Sequence, residues 1–462
     1  MRAKLAVDRA FDRRLKLVVE GGAKRDLEAS SAELTQALGD LERADDDVRA
    51  AEFHPPKPIQ TMTATEIEQA SLDSKTTFFE YALGAEHSYL WVIGGGKLKS
   101  YVLPSRKQLE EMVKHWRGLA AGQERAEAGS GDKLKPLSAR LSCALFADAV
   151  QSGMTQMVIV PDGQLAMLPF AALPENGCSS VPGGPLVASH EVAMTPSLSV
   201  FFSRKQEAEN HFQGEVAIVA DPVFDAADPR AAALKTRATI HDSRSAWNPE
   251  TSVALPRLLN TGYEANTIQD TVRKAAGNNQ VFLAQGFDAN VETVLSSKMQ
   301  DYRIWHLATH GVYDETMPEF SGLVFSLVGT DGGPRFGFLK AQDIARLNVR
   351  AELVVLSACD SAAGDIVSGE GIMGLSYAFL HAGAKQVVST LWSIDDAKSK
   401  ELMVVFYKEL MRNGGNAAAA LRQSQLTVMR QPHNSEPYYW AGFELTSRGE
   451  SRISSDSNKD VP

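Results

Sequence analysis

The sequence predicts an α/β fold: a doubly wound, mostly parallel sheet flanked by helices. Two observations predict it. The runs YRIWHLATHG, ELVVLSACDS and KQVVSTL, spread from Tyr302 to Leu391, are short, apolar and rich in β-branched residues. That composition suits strands buried on both faces of a parallel sheet. On either side of them, strand-like runs alternate with amphipathic helical segments, the order of a doubly wound sheet.

Taken in order, residues 1–57 are charged and helical in pattern, with Leu34, Leu38 and Leu41 at helical spacing. We read them as a solvated helical arm. They lack a clear period of about 34 residues, which argues against a repeat array. The HPPKP segment, His54–Pro58, ends the arm. In the next unit, residues 58–210, FFEYALG, SYLWVIGG and KLKSYVLP read as strands, and RKQLEEMVKHWRGLA as a helix with Leu109, Met112, Val113 and Trp116 on one face. The helix LSARLSCALFADAV follows, then the runs QMVIVPDGQLAMLPFAAL and HEVAMTPSLSV; VPDG suits a β-turn.

A third unit, residues 211–448, opens with EVAIVADP, a strand ending in Asp221–Pro222. Asp225–Thr251 is polar and long for a compact domain, a surface or cleft-lining loop. LPRLLNTGYEANTIQDTV predicts a helix, NNQVFLAQGFD a strand, and NVETVLSSK a helix capped by its Asn. The His310 strand, a hairpin-like insert and the Cys359 strand come next. A helix opening at Gly369–Gly371 follows, and PYYWAGFEL closes the fold as a last strand. Residues 449–462, rich in Ser and charge, read as a disordered tail.

Composition bounds the function. With 462 residues, 44% hydrophobic and 23% charged, the chain reads as an ordinary soluble protein of two to three domains. Its formal charge of −10 gives no support to nucleic-acid binding. No stretch has the apolar length of a membrane helix, and the N-terminus lacks the apolar core of a signal peptide. Cys143, Cys178 and Cys359 are odd in number and widely spaced. That predicts neither a disulfide framework nor a metal site, and favours a reducing cytoplasm. Cys143 and Cys178 are assigned no chemistry. His306 is read as a packed or hydrogen-bonded core residue, and His381 as a charge partner at a helix C-terminus. No cofactor is expected.

His310 and Cys359 stand where strands give way to turns, followed by Gly311 and by Asp360–Ser361. Chemistry in open α/β sheets collects at the carboxyl ends of strands. A thiol becomes a nucleophile when an imidazole takes its proton or stabilises the thiolate. The two residues are 49 apart with the His first, a spacing similar to that of His and nucleophile in caspases. A buried structural thiol is the competing reading of Cys359.

The blocks LATHG, SGLVFS, LVVLSACDS, GEGIMGLSYAFLHAGAKQVV, TLWSIDD and PYYWAGFEL resemble the CHAT family of caspase-like peptidases, often found behind tetratricopeptide repeats; separase and the caspases are more distant relatives. The resemblance runs from about Ile67 to Leu445. It implies a caspase-like fold, preceded by a degenerate caspase-like half without a dyad, and a catalytic pair of His310 and Cys359. SACDS stands where many members have S-A-C-E-T. The resemblance also assigns the oxyanion donors to the backbone N–H groups of Gly311 and Cys359. Gly311 has a physical rationale, since without a Cβ the backbone admits a carbonyl oxygen closely. Asp221, Asp360, Trp392, Asp395 and Asp396 are the substrate-pocket candidates, the acids as partners for a basic side chain. A bacterial, cytoplasmic cysteine endopeptidase is the resulting expectation, with a protein substrate, a possible regulatory protein partner, and no nucleic acid, membrane or metal. A non-catalytic binding or scaffold module and another acyl transfer, such as deamidation, are the alternatives.

Overall fold

The computed structural model describes residues 9–10, 13–14, 16–17, 23–49, 61–72, 75–121, 130–150, 153–202, 211–231, 255–312, 321–333, 335–357, 369–392, 394 and 396–449. In chain order its strands are β1 (Thr76–Ala82), β2 (Ser88–Gly94), β3 (Lys97–Leu103), β4 (Gln156–Val160), β5 (Glu191–Met194), β6 (Gly214–Pro222) and β7 (Val281–Gly286). They continue as β8 (Tyr302–Ala308), β9 (His310–Val312), β10 (Gly322–Val324), β11 (Phe338–Lys340), β12 (Leu353–Leu356), β13 (Gln386–Thr390) and β14 (Phe443–Ser447).

Eleven of these strands form one sheet in the order β3-β2-β1-β4-β5-β14-β13-β12-β8-β6-β7. The pairs within β1–β4–β5–β14 and within β13–β12–β8–β6–β7 are parallel; β1–β2, β2–β3 and β13–β14 are antiparallel. The fold is therefore α/β with a large, mostly parallel sheet. The strands up to β5 and those from β6 onward meet through β14, where Thr446 pairs with Met194.

The central strands read as unbroken apolar runs because both faces are covered. Along β8, Ile304 and Ala308 enter one core layer while Trp305 and Leu307 enter the other. In β12, Leu353 and Val355 pack in the first layer and Val354 and Leu356 in the second. The helices Leu259–Ala276 and Asp396–Arg412 pack together over one face. The helix Gly369–Ala382 lies against β13 and the short helix Ala341–Ala345.

Several local expectations shift. The helix predicted from Leu255 begins only at Leu259. Pro256 accounts for part of this, since a proline disfavours helical backbone at the residue before it. Leu255–Leu258 are left as an irregular lead-in. PYYW is a helical turn, Pro437–Trp440, with proline in its first positions, and the strand starts at Phe443. The Asn290 cap forms as expected, its side chain accepting from the Thr293 N–H at 2.9 Å. The predicted disordered tail, and residues 232–254 of the long polar loop, lie outside the described residues.

The cysteine reading is overturned. Cys143, on the helix Ser130–Phe146, and Cys178, in the connection between β4 and β5, form a disulfide. Wide spacing in sequence does not exclude a bond, because the fold brings their Cα atoms to 4.6 Å. Gly177 lies so close to the helix that an added Cβ would meet the Ala139 carbonyl at 2.5 Å, which lets the loop reach Cys143. With this bond, the cysteine inventory no longer argues for a reducing compartment. No helix among the described residues is long and apolar enough to cross a membrane.

Candidate active site

β8 ends at Ala308, and the chain bends at Thr309. His310 is therefore not the end of the long strand but the first residue of β9, in a separate three-stranded sheet ordered β11-β10-β9. There Val324 pairs with His310 and Leu323 with Gly311. Thr309 anchors the bend through its hydroxyl, which donates to the Val324 carbonyl. Gly322, on β10, has no room for a Cβ, which would meet the Leu339 carbonyl at 2.5 Å. β10 is thus packed tightly against β11 in the small sheet that carries His310.

His310 is fully buried. Its Nε2 donates to the Pro256 carbonyl at 2.7 Å, and its ring packs on Phe224 with centroids 4.8 Å apart. Pro256 lies in the irregular lead-in that the sequence had suggested was helical. A proton on Nε2 makes Nδ1 the basic nitrogen of the neutral ring.

His306 sits on β8, before the bend, in different surroundings. It is fully buried, with Nε2 at 2.8 Å from Glu264 Oε1 and Nδ1 at 3.1 Å from the Tyr407 hydroxyl. Glu264 and Tyr407 come from the two helices packed over that face. This agrees with a hydrogen-bonded core role. Burial, with Glu264 adding to it, drives the Tyr407 hydroxyl well above the usual tyrosine range.

Cys359 and Asp360 lie outside the described residues, as does Asp395. The strand leading to the cysteine is described as far as Ser357, whose N–H donates to the Leu307 carbonyl at 3.0 Å. β12 pairs with β8 in parallel from Leu353↔Ile304 to Leu356↔Leu307, an offset of 49 residues at every pair. Asp396 is the first residue of its helix. Trp392 is buried, and its indole N–H donates to the Tyr438 carbonyl at 3.3 Å.

Asp221 stands at the end of β6, where the register with β7 slips between Ala220 and Pro222. Its φ of 49° is in the left-handed region, uncommon for a residue with a side chain. The carboxylate does not face an empty pocket. Arg257 grips it with two hydrogen bonds, Nε to Oδ1 at 2.9 Å and Nη2 to Oδ2 at 2.7 Å. Arg230 adds an ion pair at 2.9 Å and also donates to the Asp221 and Pro222 carbonyls. Arg230 further makes two hydrogen bonds to Asp228, 3.0 and 2.7 Å. The hydrogen bond from Arg230 lowers the Asp228 pKa, and that to Asp221 raises the pKa of Arg257. Arg230, Asp228, Pro256 and Arg257 were not singled out from sequence. The one available signal was Pro256 itself, which marks the lead-in as non-helical.

The CHAT domain model matches residues 133–450, more than half of the chain. Tetratricopeptide repeat protein 28 of Mus musculus is 39% identical over 107 residues, covering 23% of this chain and 4% of that protein. The Homo sapiens protein of the same name is 37% identical over 107 residues with the same coverage. The chain thus spans only a small fraction of these relatives. Among solved structures, the Saccharomyces cerevisiae separase–securin complex aligns with a TM-score of 0.44 at 9% identity, covering 83% of this chain and 31% of that one. The Arg-specific cysteine proteinase gingipain R aligns with a TM-score of 0.42 at 7% identity, covering 75% of each chain. By the span of that domain match, the chain belongs to the CHAT domain family.

Proposed function

We propose that the chain is a cysteine endopeptidase acting through Cys359 and His310 on a protein substrate. The observation that carries the reading is the register of β8 with β12. Its offset of 49 residues equals the separation of His310 and Cys359, each three residues beyond the last paired position, Leu307 and Leu356. Neighbouring parallel strands in register deliver such residues to the same end of a sheet, where α/β chemistry collects. The held Nε2 proton supports it further, because it leaves Nδ1 as the ring nitrogen able to take a proton.

In this reading, Cys359 Sγ attacks the peptide carbonyl carbon and gives up its proton to His310 Nδ1. The imidazolium protonates the departing amine, leaving a thioester. His310 then takes a proton from water as the water oxygen attacks the thioester carbon; the C–S bond breaks, the acid leaves, and the imidazolium returns the proton to the Cys359 sulfur. The oxyanion is held by backbone N–H groups, for which Gly311 and Cys359 are the candidates.

Candidate proteins are incubated with wild type, Cys359→Ala and His310→Ala, and the products are read by mass spectrometry. We expect cleavage by the wild type alone, with loss of about a hundredfold or more in each variant. Undiminished cleavage by folded Cys359→Ala would overturn the nucleophile assignment. Binding of a protein with no bond changed in any sample would favour the scaffold reading, and a change of mass without chain scission would favour deamidation.

A further inference from the structure

The lead-in Leu255–Leu258 has an unusual distribution of burial. Leu255 and Leu258 are both buried, while Pro256 and Arg257 between them are exposed. The segment is anchored at both ends by buried leucines and is exposed to solvent in the middle. Its proline carbonyl holds His310. The next residue, Arg257, reaches over to Asp221 and closes on the carboxylate with both nitrogens of its fork. The Arg257 side chain keeps 36% of its surface exposed, whereas that of Asp221 keeps 10%. The guanidinium therefore lies on the solvent side of the pair and the carboxylate on the protein side.

We propose that Arg257 is an internal stand-in for a substrate's basic side chain, seated on Asp221 at rest and displaced by an arginine or lysine of the bound peptide. This rests on the peptidase reading and names a specificity residue and a resting-state block for the same site. The charges support exchange. Asp221, Asp228, Arg230 and Arg257 sum to zero, and the Arg230 guanidinium is shared between Asp228, by two hydrogen bonds, and Asp221, by one ion pair. When Arg257 withdraws, Asp221 keeps its ion pair with Arg230 at 2.9 Å, and the group Asp221, Asp228 and Arg230 is left with one net negative charge, matched to an incoming cation. A guanidinium is needed to reproduce both hydrogen bonds of the fork, and an ammonium reproduces the charge. The seat is also shaped beforehand. The left-handed backbone of Asp221 is held by the surrounding structure, and Gly262 leaves space, since an added Cβ there would come within 3.2 Å of Asp221 Oδ2.

Agmatine, a free guanidinium, tests the exchange without requiring turnover. Its binding is measured by calorimetry on Cys359→Ala protein carrying the native Arg257, Arg257→Gln, Arg257→Ala, or Arg257→Gln with Asp221→Asn. The two single Arg257 substitutions are expected to bind agmatine at least about tenfold more tightly than the form with native Arg257. The added Asp221→Asn change is expected to abolish that gain. Folded Arg257→Gln or Arg257→Ala protein with no gain overturns the proposal. Loss of the fold in both also overturns it, because Arg257 would then be a fixed strut. Agmatine binding without proteolysis by the unaltered chain keeps this seat and removes the peptidase reading; proteolysis without any gain does the reverse.

Discussion

At the scale of single residues, the two histidines of the β8–β9 stretch divide the work. Their separation by four positions puts them in the same parity of one strand. The bend at Thr309 then ends the strand between them. His306 stays among helices with Glu264 and Tyr407, and His310 turns to Pro256 and Phe224. His306→Ala removes one partner of a buried pair and leaves Glu264 without its imidazole. We expect a loss of about 3 kcal/mol in urea unfolding. The alkylation rate of Cys359 in the folded variant should change less than about twofold. His310→Ala should do the opposite, slowing alkylation near neutral pH with a smaller loss of stability. A His306→Ala protein of unchanged stability but slowed alkylation would reverse the two assignments.

At the scale of elements, the disulfide ties the helix Ser130–Phe146 to the connection between β4 and β5, across 35 residues of sequence. A cross-link of that span stabilises by about 2–4 kcal/mol. Adding a reductant to the wild type should lower unfolding stability by that amount, and Cys143→Ser/Cys178→Ser should start at the lower value and not respond. Thiol titration of the unfolded, unreduced chain should find one reactive cysteine, Cys359. Three reactive thiols would exclude the bond. The sequence could not name this pair, because spacing alone does not say which helix face and which loop come together. By contrast, the Asn290 cap was legible, since it acts on the Thr293 N–H three residues away. The late start of the helix at Leu259 was half legible, in Pro256, and it matters because the unwound lead-in carries both groups that reach the site.

At the scale of the whole molecule, β14 joins the strands up to β5 to those from β6 onward, and a carboxyl group lies buried in that junction. Burial pushes the Glu444 pKa up to about 8 from an ordinary 4.5, against the opposing pull of Arg117. The folded chain therefore holds this proton over a pH range where the unfolded chain has released it. Stability from this group is fully present below about pH 4.5 and is lost as pH rises through about 8. Glu444→Gln should remove that dependence. The stability difference between variant and wild type should grow in the variant's favour by a few kcal/mol from pH 5 to pH 8, measured by urea unfolding at each pH. A difference that stays constant over this range would show that Glu444 does not carry the shift.

The sequence by itself determined the strands, their alternation with helices, the His–Cys spacing and the Asn cap. Each is written in local periodicity or in offsets along one chain: strands buried on both faces must be apolar throughout, and a fixed spacing survives into the β8–β12 register. Only the tertiary structure decided the Cys143–Cys178 bond, the Pro256 carbonyl on His310 and the arginines that cover Asp221. Asp221 was legible from sequence as an acid at a strand end and a candidate partner for a substrate's basic side chain; its engagement by Arg257, 36 residues on, was not. The physical reason is that periodicity encodes how deeply a residue is buried, whereas the partner of a buried or half-buried polar group is chosen by which distant segments the packed sheet brings together.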